Sequence, residues 1–172
     1  MRSSIPLRVA GPITTDAKVI PALVSRRLST NSNLLDAFRQ TVAEFEGSVA
    51  IAAASATAPD KLLLALHGSG QGLCIGLAED RFIVASEPYG TVEETVHFVR
   101  LDGETPRKEG DPNSRGQVVR LRIDGAGTVE GITRIAYDGI EIPITDNDVA
   151  VAEVTTRDID RGDAPHFLLK EI

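Results

Sequence analysis

Residues 36–86 have the sequence DAFRQTVAEFEGSVAIAAASATAPDKLLLALHGSGQGLCIGLAEDRFIVAS, and this stretch decides the fold because its hydrophobic pattern changes partway along. It opens inside a helix that Asn33 is expected to cap and Gly47 to end. The apolar residues of this helix recur at helical spacing, at Leu34, Leu35, Phe38, Val42 and Phe45. Beyond Gly47 the helical spacing stops and continuous apolar runs begin, which predicts a change from helix to strands.

The apolar runs at 48–55 and 61–68 are predicted to be strands, with a turn at Pro59-Asp60 between them. Residues 72–88 predict two further strands around a turn at Ala78-Glu79-Asp80, and residues 91–104 a short acidic helix followed by a strand. Strands that are apolar on both faces favour a sheet buried from two sides, with the helices covering one of them. The stretch therefore predicts an α+β fold.

The remainder of the chain divides by composition. Residues 13–29 predict another helix, capped by Thr15 or Asp16. Pro21 falls inside this helix and is tolerable only near its first turn. Residues 104–117 are rich in proline, glycine and charge and predict a surface loop. Residues 118–162 are predicted to be strand-rich, with an alternation of Val119, Leu121 and Ile123 and hairpin signals at Asp124-Gly125 and Asp138-Gly139. The last ten residues, DAPHFLLKEI at 163–172, predict the start of a helix.

Composition excludes several classes of protein. The 172 residues are 42% hydrophobic and 25% charged, as in globular proteins, and 18 basic against 25 acidic residues give a net charge of -7. No basic stripe with interleaved aromatics is present, so a nucleic-acid partner is not expected. The longest apolar run is too short for a bilayer, so no membrane association is expected. The single cysteine, Cys74, excludes an intramolecular disulfide and fits a cytoplasmic protein.

Three stretches, in order along the chain, resemble the glutamine–fructose-6-phosphate aminotransferase family, also called glucosamine-6-phosphate synthases. Residues 36–86 resemble the second half of its class II glutamine amidotransferase domain, with a helix, a Pro-Asp-Lys-Leu turn and strand, then Gly-Ser, Ile-Gly-Leu and a strand ending in Ala-Ser. Residues 14–23, TTDAKVIPAL, resemble the upstream Thr-Asp-x-x-Val-Ile segment. Residues 158–172 resemble the linker into the sugar isomerase (SIS) domain, where His-Phe-Met-x-Lys-Glu-Ile opens a helix. Residues 104–157 match least well.

The resemblance implies part of a four-layer αββα Ntn-hydrolase domain whose N-terminal strands are missing. Residues 1–103 would be the C-terminal half of the glutaminase domain, 104–117 a surface loop, 118–162 a strand-rich extension and linker, and 163–172 the start of the isomerase domain. In the parent enzyme, glutamine is hydrolysed and its ammonia passes to a ketose phosphate, with fructose 6-phosphate the expected acceptor. The resemblance implies a homo-oligomer and neither a metal nor an organic cofactor.

The family's catalytic residues have no counterpart in this sequence. They are an N-terminal cysteine nucleophile, an Arg-Trp-x-Thr-His stretch and an Asn-Gly oxyanion element, and the chain contains no tryptophan. The chain alone is therefore expected to be inactive and to hold no catalytic residue. The alternative is an inactive Ntn-like scaffold that acts as a binding or assembly module.

Asp16 is the family's one functional position found in this sequence. The resemblance implies that its carboxylate binds the α-amino group of glutamine, a chemically suitable pairing of a carboxylate with an ammonium group. The residue pattern alone favours a second role for Asp16, as the N-cap of the helix at 13–29. Thr15, beside it, is interpreted as a cap.

The other candidate residues are interpreted as structural. Cys74 lies in a predicted strand and is expected to be a buried, unreactive thiol with a raised pKa. Ser3 could be a nucleophile only if it became N-terminal, and its surroundings do not predict the required strand. His67, His97 and His166 lack metal-ligand spacing. The HGSGQG stretch that begins at His67 lacks the lysine of a phosphate-binding loop and is interpreted as a turn between strands.

Overall fold

The computed structural model describes residues 16–30, 33–68, 70–103, 109–111, 116–153, 162–163 and 165. Its backbone divides into two units, residues 1–46 and 47–172. Most of the helix predicted at 163–172 and most of the loop predicted at 104–117 lie outside the described residues, as do Ser3, Thr15 and His166.

The first unit begins with a helix that is entered through a tighter turn. A 3₁₀ turn at Asp16–Lys18 leads into α1, Val19–Leu28. The predicted caps, Thr15 and the side chain of Asp16, lie outside the described residues, so the predicted capping remains a prediction. The residue immediately before α1, Lys18, makes no capping hydrogen bond with its side chain. The 3₁₀ turn explains this result, because its carbonyl groups precede the first amides of α1 and offer them backbone acceptors. Pro21 is the third residue of α1, where a missing N–H is tolerated as predicted.

The second helix, α2, is Leu34–Ala43 and begins as predicted. Asn33 is extended, and its Oδ1 accepts a hydrogen bond from the backbone N–H of Asp36 at 2.9 Å. The helix ends before Gly47, because the amides of Glu44 and Phe45 already bond three residues back and tighten the last turn. The buried face of α2 has the predicted helical spacing and consists of Ala37, Phe38, Thr41 and Val42.

The second unit contains two antiparallel sheets. Their strands are β1 Val49–Ser55, β2 Ala58–His67, β3 Cys74–Leu77, β4 Phe82–Ala85, β5 His97–Arg100, β6 Gln117–Arg122, β7 Ile132–Ala136, β8 Glu141–Ile142 and β9 Val149–Val151. The first sheet has the order β1-β2-β6-β7-β8 and the second β4-β3-β5-β9. Strands from the stretch 118–162 therefore share both sheets with strands from the first 103 residues.

The sheets pack face to face around one apolar cluster. The cluster draws on β2, β6 and β7 of the first sheet and on β3 and β5 of the second, and its fully buried members include Leu64, Leu66, Ile75, Val99 and Val119. Helices and antiparallel sheets together confirm the predicted α+β class.

Burial of the strands differs from the prediction in one respect. In β2 the consecutive residues Leu63 to Leu66 are all buried, so this central strand is covered on both faces as predicted. In β1, half-buried and exposed residues alternate instead. The prediction that β1 is buried on both faces is wrong, because β1 lies at the edge of its sheet.

The turn between β1 and β2 lies at Ala56-Thr57, and Pro59 and Asp60 belong to β2. The turn predicted at Pro59-Asp60 is therefore wrong, because the observed turn lies three residues earlier in the chain. A register shift at Ala54/Ser55 explains how a strand contains proline here, since Pro59 has no partner in the β1 ladder and its missing N–H costs no ladder bond.

The segment between β4 and β5 contains a 3₁₀ turn at Pro88–Gly90, and residues 91–94 form one turn instead of the predicted acidic helix. The amide of Thr95 bonds to the carbonyl of Thr91 at 2.8 Å, and Thr91 and Val92 are buried. The Oγ1 of Thr95 donates to the carbonyl of Leu77 at 2.8 Å, which holds this segment against β3. Gly76 leaves room for this segment on β3, because a Cβ at Gly76 would contact the side chains of Thr91 and Thr95. Anchoring to the sheet after one turn prevents a longer helix.

The two Asp-Gly pairs differ in outcome. Asp138-Gly139 forms the predicted hairpin turn between β7 and β8, with the amide of Gly139 bonded to the carbonyl of Ala136 at 2.9 Å. Asp124-Gly125 lies in a longer connection of two 3₁₀ turns between β6 and β7, so the tight hairpin predicted there is wrong. The predicted alternation also stops before this connection, since Ile123 is 72% exposed.

Candidate functional site

The backbone of Asp16 opens the 3₁₀ turn that leads into α1. Its side chain lies outside the described part of the structure, and so does Thr15. The N-terminal end of a helical segment carries partial positive charge and stabilises a carboxylate. The position at the start of a helical segment suits a carboxylate in either of the two expected roles.

Cys74 is fully buried in β3, opposite Ala85 on one side and Arg100 on the other. Burial raises the pKa of the thiol, and this effect exceeds the opposing effect of the Arg100 charge. A buried thiol with a raised pKa is a poor nucleophile, so the structure agrees with the interpretation of Cys74 as a core residue.

The described histidines lie on different sheets. His67 ends β2 and packs against Tyr137, with ring centroids 5.2 Å apart, while the hydroxyl of Tyr137 donates to the carbonyl of Leu66 at 3.2 Å. His97 begins β5 and is exposed. Within the described residues, no group of three or more His, Cys, Asp or Glu side chains is arranged to hold a metal ion.

The HGSGQG stretch connects β2 of the first sheet to β3 of the second, in agreement with its interpretation as a connection between strands. The amide of Gly68 donates to the carbonyl of Gly103 at 3.0 Å. This amide is thereby already occupied, which fits a structural connection better than a phosphate-binding loop.

One groove was not predicted from the sequence. It has a volume of about 490 Å³ and is lined by the ends of β3 and β5, the connection between β6 and β7, and the segment before β9. Its charged residues are Glu130 and Asp146, and a hydrogen bond from Thr128 lowers the pKa of Glu130. These residues are far apart in sequence and carry no shared motif, so only the fold brings them together. They include no nucleophile paired with a base.

An ion pair joins the first sheet to the segment that enters the second. Nη2 of Arg134, in β7, donates to Oδ1 of Asp148 at 3.0 Å and to the carbonyl of Pro143 at 2.6 Å. The amide and hydroxyl of Thr145 donate to the other carboxylate oxygen of Asp148. Arg134 lies directly opposite Val119 in the ladder and is 9% exposed. The sequence pattern predicted none of these contacts.

Asp148→Asn should destabilise the chain, and the loss should depend on pH. The hydrogen bond from the Thr145 amide has the largest effect and lowers the pKa of Asp148. Hydrogen bonds from Arg134 and the Thr145 hydroxyl lower this pKa further, whereas burial opposes these effects in part. A carboxylate with a lowered folded-state pKa stabilises the fold above its unfolded pKa, about 3.9, and this contribution is lost as the pH falls through the folded pKa. Because the Asp148 side chain is 31% exposed, we expect a loss of about 2 kcal/mol at pH 7, less than for a fully buried pair.

Urea unfolding of both proteins between pH 7 and pH 3 would measure the difference. The gap in the free energy of unfolding should narrow below about pH 4. Asp124→Asn is a matched control, because the Asp124 side chain is 70% exposed in its pair with Arg122 and should change stability little. A gap of constant size across the pH range would contradict an ionic contribution from Asp148.

Comparison with curated proteins gave three representative relatives, all named glutamine–fructose-6-phosphate aminotransferase (isomerizing). The protein of Acinetobacter baylyi is 28% identical over 160 residues, that of Bacillus cereus 29% over 158 and that of Pseudomonas syringae pv. tomato 28% over 160. Each match covers 92% of this chain and 22% of the relative, so the chain spans about a fifth of their length. No family model matches the chain. The relatives confirm the resemblance predicted from the sequence.

The structure also bears on membranes. In the part of the chain that it describes, no helix is long and apolar enough to cross a bilayer.

Proposed function

We propose that this chain is the second half of the glutaminase domain of a glutamine-dependent aminotransferase. The whole enzyme hydrolyses glutamine and transfers the ammonia to a ketose phosphate, with fructose 6-phosphate as the acceptor, to form an amino-sugar phosphate. The similarity to aminotransferases along 92% of the chain carries this proposal. The three matching stretches support it, because they occur in the family's order.

The two facing sheets support the same assignment. In the proposal they are the two central layers of an αββα Ntn-hydrolase domain, and further strands of that domain come from polypeptide outside this chain. The proposed boundary with the sugar isomerase domain lies near residue 163. The chain works as part of a cytoplasmic enzyme and contributes neither a metal site nor a cofactor site to glutamine hydrolysis.

In the proposed reaction, the chain binds glutamine and does not attack it. The carboxylate of Asp16 pairs with the α-ammonium group of glutamine and so positions the side-chain amide. The nucleophilic thiolate, its base and the oxyanion donors come from the rest of the enzyme. Cys74 takes no part, because it is buried and its pKa is raised.

A chimeric enzyme would test the proposal. The matched segment of the Acinetobacter baylyi aminotransferase is replaced by residues of this chain, and amino-sugar phosphate formation is measured with glutamine and separately with ammonia. We expect synthesis from both nitrogen sources. Synthesis from ammonia reports that the rest of the chimera is folded, because it bypasses glutamine hydrolysis.

Normal synthesis from ammonia with only background synthesis from glutamine would contradict the proposal. That result would instead favour the second function considered for the sequence, a scaffold that has lost its chemistry. If the full replacement abolishes both activities, a narrower replacement with residues 13–103 repeats the comparison with fewer new contacts to the rest of the enzyme.

A further inference from the structure

The groove of about 490 Å³ combines two carboxylates with an aliphatic lining. Its aliphatic residues are Leu77, Val129 and Val149, which come from the end of β3, the β6–β7 connection and the start of β9. Its acidic residues, Glu130 and Asp146, are exposed to solvent. The volume lies within the range of small-molecule sites, which combine an apolar lining with a few polar groups.

Glu130 is held in place, and its carboxylate forms no ion pair with a described residue. It belongs to the 3₁₀ turn Val129–Gly131, and Nη2 of Arg122 donates to its backbone carbonyl at 2.8 Å. The charge of Arg122 is directed to Asp124 instead, with Nε and Oδ1 3.4 Å apart. A hydrogen bond from Thr128 lowers the pKa of Glu130, which favours the ionised carboxylate.

Asp146 has a similar arrangement. It begins the 3₁₀ turn Asp146–Asp148, where Arg134 and the amide and hydroxyl of Thr145 all donate to the carboxylate of Asp148. These contacts hold the turn but leave the side chain of Asp146 without an ion pair in the described part of the chain. The groove therefore has two anchored turns, each with a carboxylate that no described lysine or arginine pairs with.

The residues of the groove exclude two kinds of ligand. None of the described residues that line it is lysine or arginine, so it is unsuited to a phosphate or another anion. Within the described residues, its titratable side chains, His97, Glu130 and Asp146, do not form a group that could hold a metal ion. A sugar phosphate therefore does not fit the groove, and the inference below is independent of the proposed function.

We infer that the groove binds a small aliphatic amine. The ammonium group lies at Glu130 and Asp146, where the carboxylates accept charge-assisted hydrogen bonds. The carbon chain lies against Leu77, Val129 and Val149, which remove its methylene groups from water. The positive charge of the ligand offsets the two negative charges, so the groove and the amine are complementary in charge and in polarity.

A titration of the purified chain, followed by amide chemical shifts in two-dimensional NMR spectra, would test the inference. The probe is cadaverine, an unbranched aliphatic diamine, and pentanediol is its neutral counterpart of the same length. Cadaverine should shift the resonances of residues 127–130 and 146 to saturation, and pentanediol should leave them unchanged. Methylamine should bind roughly 10-fold more weakly than cadaverine, or weaker still, because it lacks the methylene chain.

Glu130→Gln and Asp146→Asn each remove one charge with little change in shape. Each should raise the dissociation constant for cadaverine about 5-fold, the upper value for an exposed ion pair. The double variant should raise it roughly 25-fold if the two carboxylates contribute independently. Glu141→Gln is the matched control, since Glu141 is exposed on β8 and does not line the groove, and it should leave binding unchanged.

No saturable shift with cadaverine, or equal shifts with pentanediol, would overturn the inference. An equal loss of affinity in Glu141→Gln and Glu130→Gln would overturn it as well, because binding would then follow the net charge of the chain, -7, and not the groove. The comparison of cadaverine with pentanediol uses the wild-type chain, so it decides the inference even if a substitution changes the fold.

Discussion

Replacing Asp16 by alanine in the chimeric aminotransferase should raise the KM for glutamine by roughly 100-fold and leave synthesis from ammonia unchanged. The proposed site loses the carboxylate that pairs with the α-ammonium group, and removing one partner of an enclosed charge pair costs at least about 2 kcal/mol. A 100-fold change corresponds to about 2.7 kcal/mol, which is consistent with that cost. Steady-state kinetics with varied glutamine, and separately with varied ammonia, would measure both effects.

Asp16→Asn is the control that separates the two roles considered for this residue. Asparagine caps helices about as well as aspartate but carries no charge. If Asp16 binds the substrate, the asparagine variant should resemble the alanine variant in its KM. If Asp16 acts only as a cap, the asparagine variant should behave like the wild type, and the alanine variant should lower the melting temperature without changing glutamine kinetics. The second pattern would contradict the proposed role.

Replacing Gly127 by alanine should destabilise the chain by about 3 kcal/mol or more, from backbone strain and overpacking together. Gly127 has a φ of +81°, in the left-handed region, which costs a residue with a Cβ about 1–2 kcal/mol. A Cβ there would also overlap the backbone carbonyl of Ala78, in the turn between β3 and β4. A backbone carbonyl cannot move aside as a flexible side chain can, so the turn or the β6–β7 connection would have to shift.

Gly47→Ala is the matched control for this prediction. Gly47 has a φ of +88°, but a Cβ there would meet no atom within 4 Å. The Gly47→Ala variant therefore has the backbone strain without the overlap, and its free energy of unfolding should fall by about 1–2 kcal/mol. Urea unfolding of both variants would measure the difference. Equal losses would mean that the β6–β7 connection accommodates the added methyl group by moving.

The sequence determined the elements that depend on residues close together in the chain. The capping of α2 by Asn33, the hairpin turn at Asp138-Gly139 and the turn between β3 and β4 were predicted from a few adjacent residues and are confirmed. The α+β class followed from the change between helical and strand patterns in residues 36–86. Each of these features depends on local hydrogen bonds or local periodicity, which the sequence displays directly.

The candidate site could be predicted from the sequence only through the resemblance to the aminotransferase family. Nothing in the local pattern at Asp16 separates an amine ligand from a helix cap, because a carboxylate at the start of a helical segment suits both roles. The structure shows that α1 begins at Val19 after a 3₁₀ turn that Asp16 opens, and the side chain of Asp16 lies outside the described residues. The groove with Glu130 and Asp146 was not predicted, because its residues come from separate elements.

Only the tertiary structure decided which strands are neighbours and which faces are covered. β2 and β6 are adjacent although 49 residues separate His67 from Gln117, and this pairing leaves β1 at the edge of its sheet with exposed alanines. Residues 91–94 form one turn and no longer helix because Thr95, just after them, is anchored on β3. Arg134 is partnered because the first sheet meets the segment before β9. The residues of a strand show that the strand is apolar, but they do not show which other segments will pack against it. Burial depends on contacts between distant segments, and those contacts exist only once the sheets have assembled.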